Sequence, residues 1–135
     1  MEVSTDKDRL DRQMIYQFLH HEAYWSKGRS WAAVQSSIEH SLCFGVYENG
    51  KQIGFARVVS DYTIFGWLLD VFVVPSHRGQ GVGKQLLQYI FDYPLLRAVK
   101  NWGLKTHNAH SLYEQFGFQN LARPEIHMER SSSYA

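Results

Sequence analysis

The stretch from Val71 to Tyr93 constrains this chain more than any other. It runs from an apolar segment, Val71-Phe72-Val73-Val74, through Pro75 into glycines at 79, 81 and 83, and then into Leu86, Leu87, Ile90 and Phe91 at helical spacing. Pro94 is a natural stop for that helix. A strand that feeds a glycine loop and then a helix brings unpaired first-turn amides and the positive end of the helix dipole to one place. Backbone N–H groups there can turn toward an anion without Cβ obstruction, which suits a pyrophosphate. Arg78 and Lys84 add local positive charge, unless they simply face solvent.

The remaining pattern is that of one α/β domain covering 1–135. Met1 to Thr5 reads as a short strand, followed by a helix with Leu10, Met14, Ile15, Phe18 and Leu19 on one face, capped by Asp6 or Asp8. Ser30 is the expected N-cap of a second helix reaching about Glu39. Leu42 to Tyr47 and Ile53 to Val59 flank Asn49-Gly50, a strong hairpin signal, and Phe65 to Val74 supplies a further strand. Trp102 to Thr106 is a short strand candidate, and Ala109 to Phe116 a helix closed by Gly117, with Asn108 as its cap. A final extended stretch is expected from Phe118, and Ser131-Ser132-Ser133 reads as loose.

Two phosphate-binding patterns fail here. The dinucleotide fingerprint needs Gly-x-Gly-x-x-Gly, whereas Gly79-x-Gly81-x-Gly83 is one residue short. A nucleotide P-loop needs glycine where Arg78 stands and Ser or Thr where Gln85 stands. What remains is Arg78-x-x-Gly81-x-Gly83. In this the chain resembles the GNAT superfamily of N-acetyltransferases, whose acetyl-CoA loop reads Arg/Gln-x-x-Gly-x-Gly/Ala after a central strand. Asp70-Val71-Phe72-Val73-Val74-Pro75 is similar to the family's fourth strand, and Ser111-Leu112-Tyr113-Glu114-Gln115-Phe116-Gly117-Phe118 to its late helix.

The resemblance implies a GNAT-like fold, with a central mixed, mostly antiparallel twisted sheet flanked by helices. It implies acetyl-CoA as co-substrate: backbone groups of Val71, Phe72 and Val73 for the pantetheine arm, and Arg78, Gly79, Gln80, Gly81, Val82, Gly83 and Lys84 for the pyrophosphate. Tyr113 takes the position of the proton donor to the departing thiolate. Asp70 takes that of the base, although an Asp in an apolar strand is equally explained by a hydrogen bond to backbone or to an arginine such as Arg57. Family members often carry Asn seven residues before the late tyrosine. Here that position is Thr106, which implies a weaker hydroxyl contact to the cofactor. The implied reaction is direct transfer of acetyl, in a ternary complex, to the primary amine of a small or amino-acid-like acceptor. Protein or peptide acetylation and a non-catalytic acyl-CoA-binding module are the alternatives, and the family's habit of pairing leaves a homodimer open.

Composition narrows the partners. Fourteen basic and thirteen acidic side chains leave a net charge of +1, which gives no field for nucleic acid or anionic lipid. Apolar runs fall short of the roughly 20 residues needed to cross a bilayer, so no membrane partner is expected. One cysteine, Cys43, and no evident leader suggest a cytoplasmic protein. Seven histidines form no recognised ligand motif, so no metal is expected. Aromatic residues make up 15% of the chain. Tyr24, Trp25 and Trp31, and Tyr62, Phe65 and Trp67, form two groups that in a GNAT-like fold can wall an acceptor pocket, or equally pack the leading helices on the sheet. Glu22, Asp61 and Asp70 are the acidic residues expected to draw an amine.

Overall fold

Asn49 and Gly50 turn the chain with φ of +51° and +78°, the left-handed pair that matches hairpin twist. In the computed structural model, which describes residues 1–132, this turn joins β2 (Leu42–Glu48) to β3 (Lys51–Ser60). β1 (Glu2–Ser4) pairs antiparallel with β2 on one side, and β4 (Phe65–Val73) pairs antiparallel with β3 on the other. β5 (Asn101–Gly103) adds parallel to β4, so the order is β1-β2-β3-β4-β5. The sheet is therefore mixed and mostly antiparallel, as the resemblance implied.

Strand alternation sends neighbours to opposite faces. Cys43 joins a core with Ile15, Phe18, Leu19, Val34, Ile38, Phe55 and Phe72, beneath α1 (Arg12–Gln17) and α2 (Trp31–Glu39). Phe44, next in sequence, meets Tyr89 and Tyr93 at the other face, where α3 (Val82–Asp92) buries Leu86, Leu87 and Ile90. Ser30 caps α2 as expected, accepting from the Ala33 amide at 3.1 Å. The first helix differs from expectation. Asp6 caps only a short 3-10 turn at Lys7–Arg9, and Asp11 caps α1 by accepting from Met14 N–H at 3.0 Å. Buried Gln52 fixes that start by accepting from Asp11 N–H at 2.7 Å. α1 then widens into a π-helical turn, Phe18–Glu22, closed by Ala23 N–H on the Phe18 carbonyl.

The β4–β5 pairing is short, with Phe65↔Asn101, Gly66↔Trp102 and Trp67↔Gly103 as its register. Each indole lies over the opposing glycine. A Cβ on Gly66 would meet the Trp102 ring at 2.9 Å, and one on Gly103 would collide with the Trp67 ring. Beyond Trp67, the outer edge of β4 pairs with no strand among the described residues. β5 also stops at Gly103 rather than reaching Thr106.

By contact the chain forms two units, Met1–Lys105 and the residues from Thr106 onward. In the second, α4 (His110–Glu114) ends at Gly117, with φ +89°, and Phe118 N–H returns to the Tyr113 carbonyl at 3.2 Å. Its start corrects the expectation for Asn108. Thr106 Oγ1 accepts from Ala109 N–H at 3.1 Å, and the cap position itself is Ala109. After Phe118 a 3-10 turn at Pro124–Ile126 replaces the expected extended stretch, and no strand follows among the described residues. Ser131 and Ser132 carry no regular structure; Ser133 lies outside the described residues. No helix among the described residues is long and apolar enough to cross a membrane.

Candidate active site

The strand, loop and helix singled out in the sequence are continuous in the first unit. Leaving β4, Pro75–His77 makes a 3-10 turn, and Gly79 and Gly81 follow with φ of +74° and +80°. These are backbone conformations that a Cβ strains. Gly81 is the N-cap of α3, and no side chain caps the helix. A Cβ built on Gly79 meets nothing within 4 Å, and one on Gly81 only Gln85 Nε2 at 3.9 Å. The cradle is thus open on the side that an anion would enter, and first-turn amides of Val82, Gly83 and Lys84 lie at the positive end of α3. A coenzyme A pyrophosphate fits this cradle, and an extended pantetheine fits the unpaired β4 edge at Val71 and Val73. Phe72 departs from the expectation: alternate residues of a strand face opposite edges, and its carbonyl lies against Gly54 of β3.

Side chains brace the loop. His77 Nε2 lies 2.7 Å from Glu48 Oε2, and His77 Nδ1 lies 2.8 Å from Ser76 Oγ, tying the turn to the end of β2. Gln80 Nε2 donates to the Ser76 carbonyl at 3.4 Å. Arg78 folds back: its Nε donates to the Val73 carbonyl at 2.9 Å, and its guanidinium lies 6.0 Å from the Phe18 ring centroid. The Val73 carbonyl is therefore already engaged within the protein. Lys84 is exposed.

Asp70 sits at a bulge in β4. Phe72 opposes Phe55 and Leu69 opposes Arg57, so Asp70 and Val71 together face Ala56 alone. Asp70 takes the left-handed conformation with φ +53°, which Asp tolerates better than most residues. Its side chain is 1% exposed. Arg29 Nη1 and Arg57 Nε both donate to Oδ2 at 2.7 Å, and Trp25 Nε1 donates to Oδ1 at 2.9 Å. Burial alone would raise the carboxyl pKa, but the two guanidiniums outweigh it and hold Asp70 below its ordinary value. The arginine-bonded alternative read from the sequence is the arrangement found, with Arg29 added to Arg57. Neither Arg29 nor the Trp25 contact was legible beforehand; residues 41 and 45 positions apart in sequence carry no local signal for meeting.

Beside this cluster Phe18 stacks on Phe72 with centroids 3.9 Å apart. A groove of about 230 Å³ opens there, lined by Met14, Gln17, Phe18, His21, Glu22 and Val74. Among the acidic residues expected to draw an amine, Glu22 lines this groove. Asp61 instead closes the β3–β4 turn, accepting from Thr63, Phe65 and Ile64 amides at 3.0, 3.0 and 2.8 Å, which lower its pKa to about 2. Tyr24 packs edge-on against Trp25, Trp31 against Tyr16, and Phe65 stacks with Trp67. Cys43 is buried, and that burial pushes its thiol up to about 11, so it is a core residue rather than a nucleophile. Among the described residues no three His, Cys, Asp or Glu side chains converge as metal ligands.

Tyr113 and Thr106 belong to the second unit. Tyr113 is buried in α4 and packs edge-on against Phe118 at 5.9 Å. Thr106 uses its hydroxyl oxygen on α4, which leaves its proton for another acceptor.

Comparison with known proteins accords with this geometry. The family model for the acetyltransferase (GNAT) domain matches residues 39–120. A crystal structure of a GNAT-family protein from Xanthomonas campestris pv. campestris superposes with a TM-score of 0.94 at 43% identity, covering 97% of this chain and 92% of that one. A Gibberella zeae protein provisionally named an acetyltransferase is 31% identical over 120 residues, 72% of this chain and 68% of its own. The ribosomal protein bS18 alanine N-acetyltransferase of Escherichia coli K12 is 32% identical over 104 residues, covering 73% of this chain and 66% of that enzyme. The chain belongs to the GNAT family and is an acetyl-CoA-dependent acyltransferase.

Proposed function

We propose that this protein moves the acetyl group of acetyl-CoA directly to the primary amine of a small, amino-acid-like acceptor, the whole chain acting as one domain. The observation that carries this is the continuity of the unpaired β4 edge with the open Gly79–Gly81 turn and uncapped α3. An arm laid along β4 and a pyrophosphate at α3 leave the thioester near the bulge at Asp70. The amine lone pair attacks the thioester carbonyl, the C–S bond breaks as the tetrahedral adduct collapses, and the amine sheds one proton. The resemblance of the late helix to the family's gives Tyr113 the role of proton donor to the departing thiolate.

Asp70 serves best as an anchor. Both its oxygens are committed, and a carboxyl held below its ordinary value is a weak proton acceptor. The amine proton then leaves to water at the groove, and Asp70 keeps Trp25, Arg29 and Arg57 in place. The amides of Gly79 to Lys84 hold the cofactor's pyrophosphate. A protein or peptide amine is the second acceptor class, favoured by the likeness to the enzyme named for alanine acetylation of ribosomal protein bS18. Thiol release measured over amines, amino acids and peptides, with product masses recorded, tests the proposal. Cofactor binding without thiol release or any acetylated product across that panel would favour a binding module.

A further inference from the structure

The cluster around Asp70 is not charge-balanced. One carboxylate serves two guanidiniums, leaving one unmatched positive charge. Arg57 is the enclosed member, 12% exposed, with Nε on Asp70 and Nη1 on Ser41 Oγ at 3.0 Å. Arg29 is more open, 23% exposed, and reaches Asp70 through Nη1. Its Nε and Nη2 meet no acceptor among the described residues. The backbone behind it is fixed: the Arg29 carbonyl bonds His20 Nδ1 at 2.9 Å, and Gly28 N–H donates to the His20 carbonyl at 2.9 Å. Trp25 shares the same carboxylate through its indole N–H while the residue stays 42% exposed. A preorganised guanidinium with spare donors beside an open aromatic face is built for an anion carried on an apolar body. The cluster also adjoins Val71, where the acyl arm is placed.

We infer that Arg29 binds a carboxylate of the acceptor, so that the substrates are amines that also bear a carboxylate, with their apolar part against Trp25. This rests on the acetyl-transfer reading above. A carboxylate matches the single excess charge, whereas a phosphate monoester, at about −1.5 to −2, exceeds it.

The experiment has two arms. In the first, thiol release is measured for the proteinogenic amino acids, their carboxamides, the corresponding decarboxylated amines and O-phosphoethanolamine. In the second, the coenzyme A-loaded protein is titrated calorimetrically with the same compounds, which reads binding whether or not turnover occurs. The expected result is a preference of at least about tenfold in kcat/KM and in affinity for one or more amino acids over their carboxamides. Arg29→Gln collapses that preference, mainly through KM, and Arg29→Lys restores part of it; melting temperatures confirm that the variants fold. Equal handling of acid and carboxamide, a preference for the phosphate compound, or no binding of any amino acid would overturn the inference. If amines without a carboxylate are acetylated well, the transfer reading stands and the role of Arg29 falls. If amino acids bind but nothing is acetylated, the carboxylate site stands and the transfer reading falls.

Discussion

Replacing Asp70 by asparagine removes the negative charge from between two guanidiniums that stay in place. Its side chain is 1% exposed and accepts three hydrogen bonds, two of them from arginines that are 23% and 12% exposed. Breaking a buried ion pair from one side costs about 3–5 kcal/mol, because the partner charge is left uncompensated. Asparagine still offers an amide oxygen, which puts the expected loss near the lower limit, about 3 kcal/mol. For a chain of this size that lowers Tm by about 10 °C. The loss depends on pH with a definite sign. Asp70 has a folded-state pKa below its ordinary 3.8, so its contribution is complete above the unfolded-state value and disappears as pH falls through the folded one. The difference in stability between wild type and Asp70→Asn is therefore flat above about pH 5 and closes under acid. Urea unfolding at a series of pH values reads it directly. An Asp70→Asn protein of wild-type stability that has lost turnover would refute the anchor and restore Asp70 as the base. So would a stability difference under about 1 kcal/mol at neutral pH, well short of a buried pair.

Further expectations follow from the loop and from the late helix. Gly81→Val forces a β-branched residue to φ +80° and fills the open cradle, so acetyl-CoA affinity measured by calorimetry drops at least about tenfold in protein that still folds. Gly83→Ala is the cleaner variant: its Cβ would meet Val73 Cγ2 at an ordinary 3.9 Å, and helix propensity raises stability by up to about 1 kcal/mol, while acetyl-CoA affinity falls. Unchanged affinity in both would move the pyrophosphate elsewhere. Tyr113→Phe keeps the fold and the acetyl-CoA affinity but loses about 10²-fold or more in turnover where chemistry limits the rate; full turnover under those conditions would remove the proton-donor role.

What could be read in advance was what depends on neighbours in sequence. Asn49-Gly50 specified its hairpin because only such residues take two successive left-handed conformations cheaply. Ser30 specified α2, and the glycines from 79 to 83 specified the turn into α3, because capping and turn chemistry are local. The start of α1 differs from the expected Asp6 or Asp8 cap because three aspartates lie within six positions, and Gln52, a residue of the distant β3, holds the Asp11 amide while Asp11 caps the helix. The π-helical turn at Phe18–Glu22 has no short-range signature. Asp70 was recognisable as an anomaly in an apolar strand, but its partners were not. Arg29 and Trp25 reach it from a turn that only the tertiary fold brings to β4. Asn108 is a cap by residue type, but the helix starts one residue later, with Ala109 at the cap position, and the Ala109 amide goes to Thr106 Oγ1 instead.

The most direct test of the central claim is a thiol-release assay on the purified protein with acetyl-CoA and the amine, amino-acid and peptide panel, with mass spectrometry of the products. Acceptor-dependent release of coenzyme A, with one acetyl group gained on a primary amine, is the result expected from a thioester laid along β4 and a pyrophosphate seated at α3. Tight acetyl-CoA binding with no acceptor-dependent release and no acetylated product would contradict it.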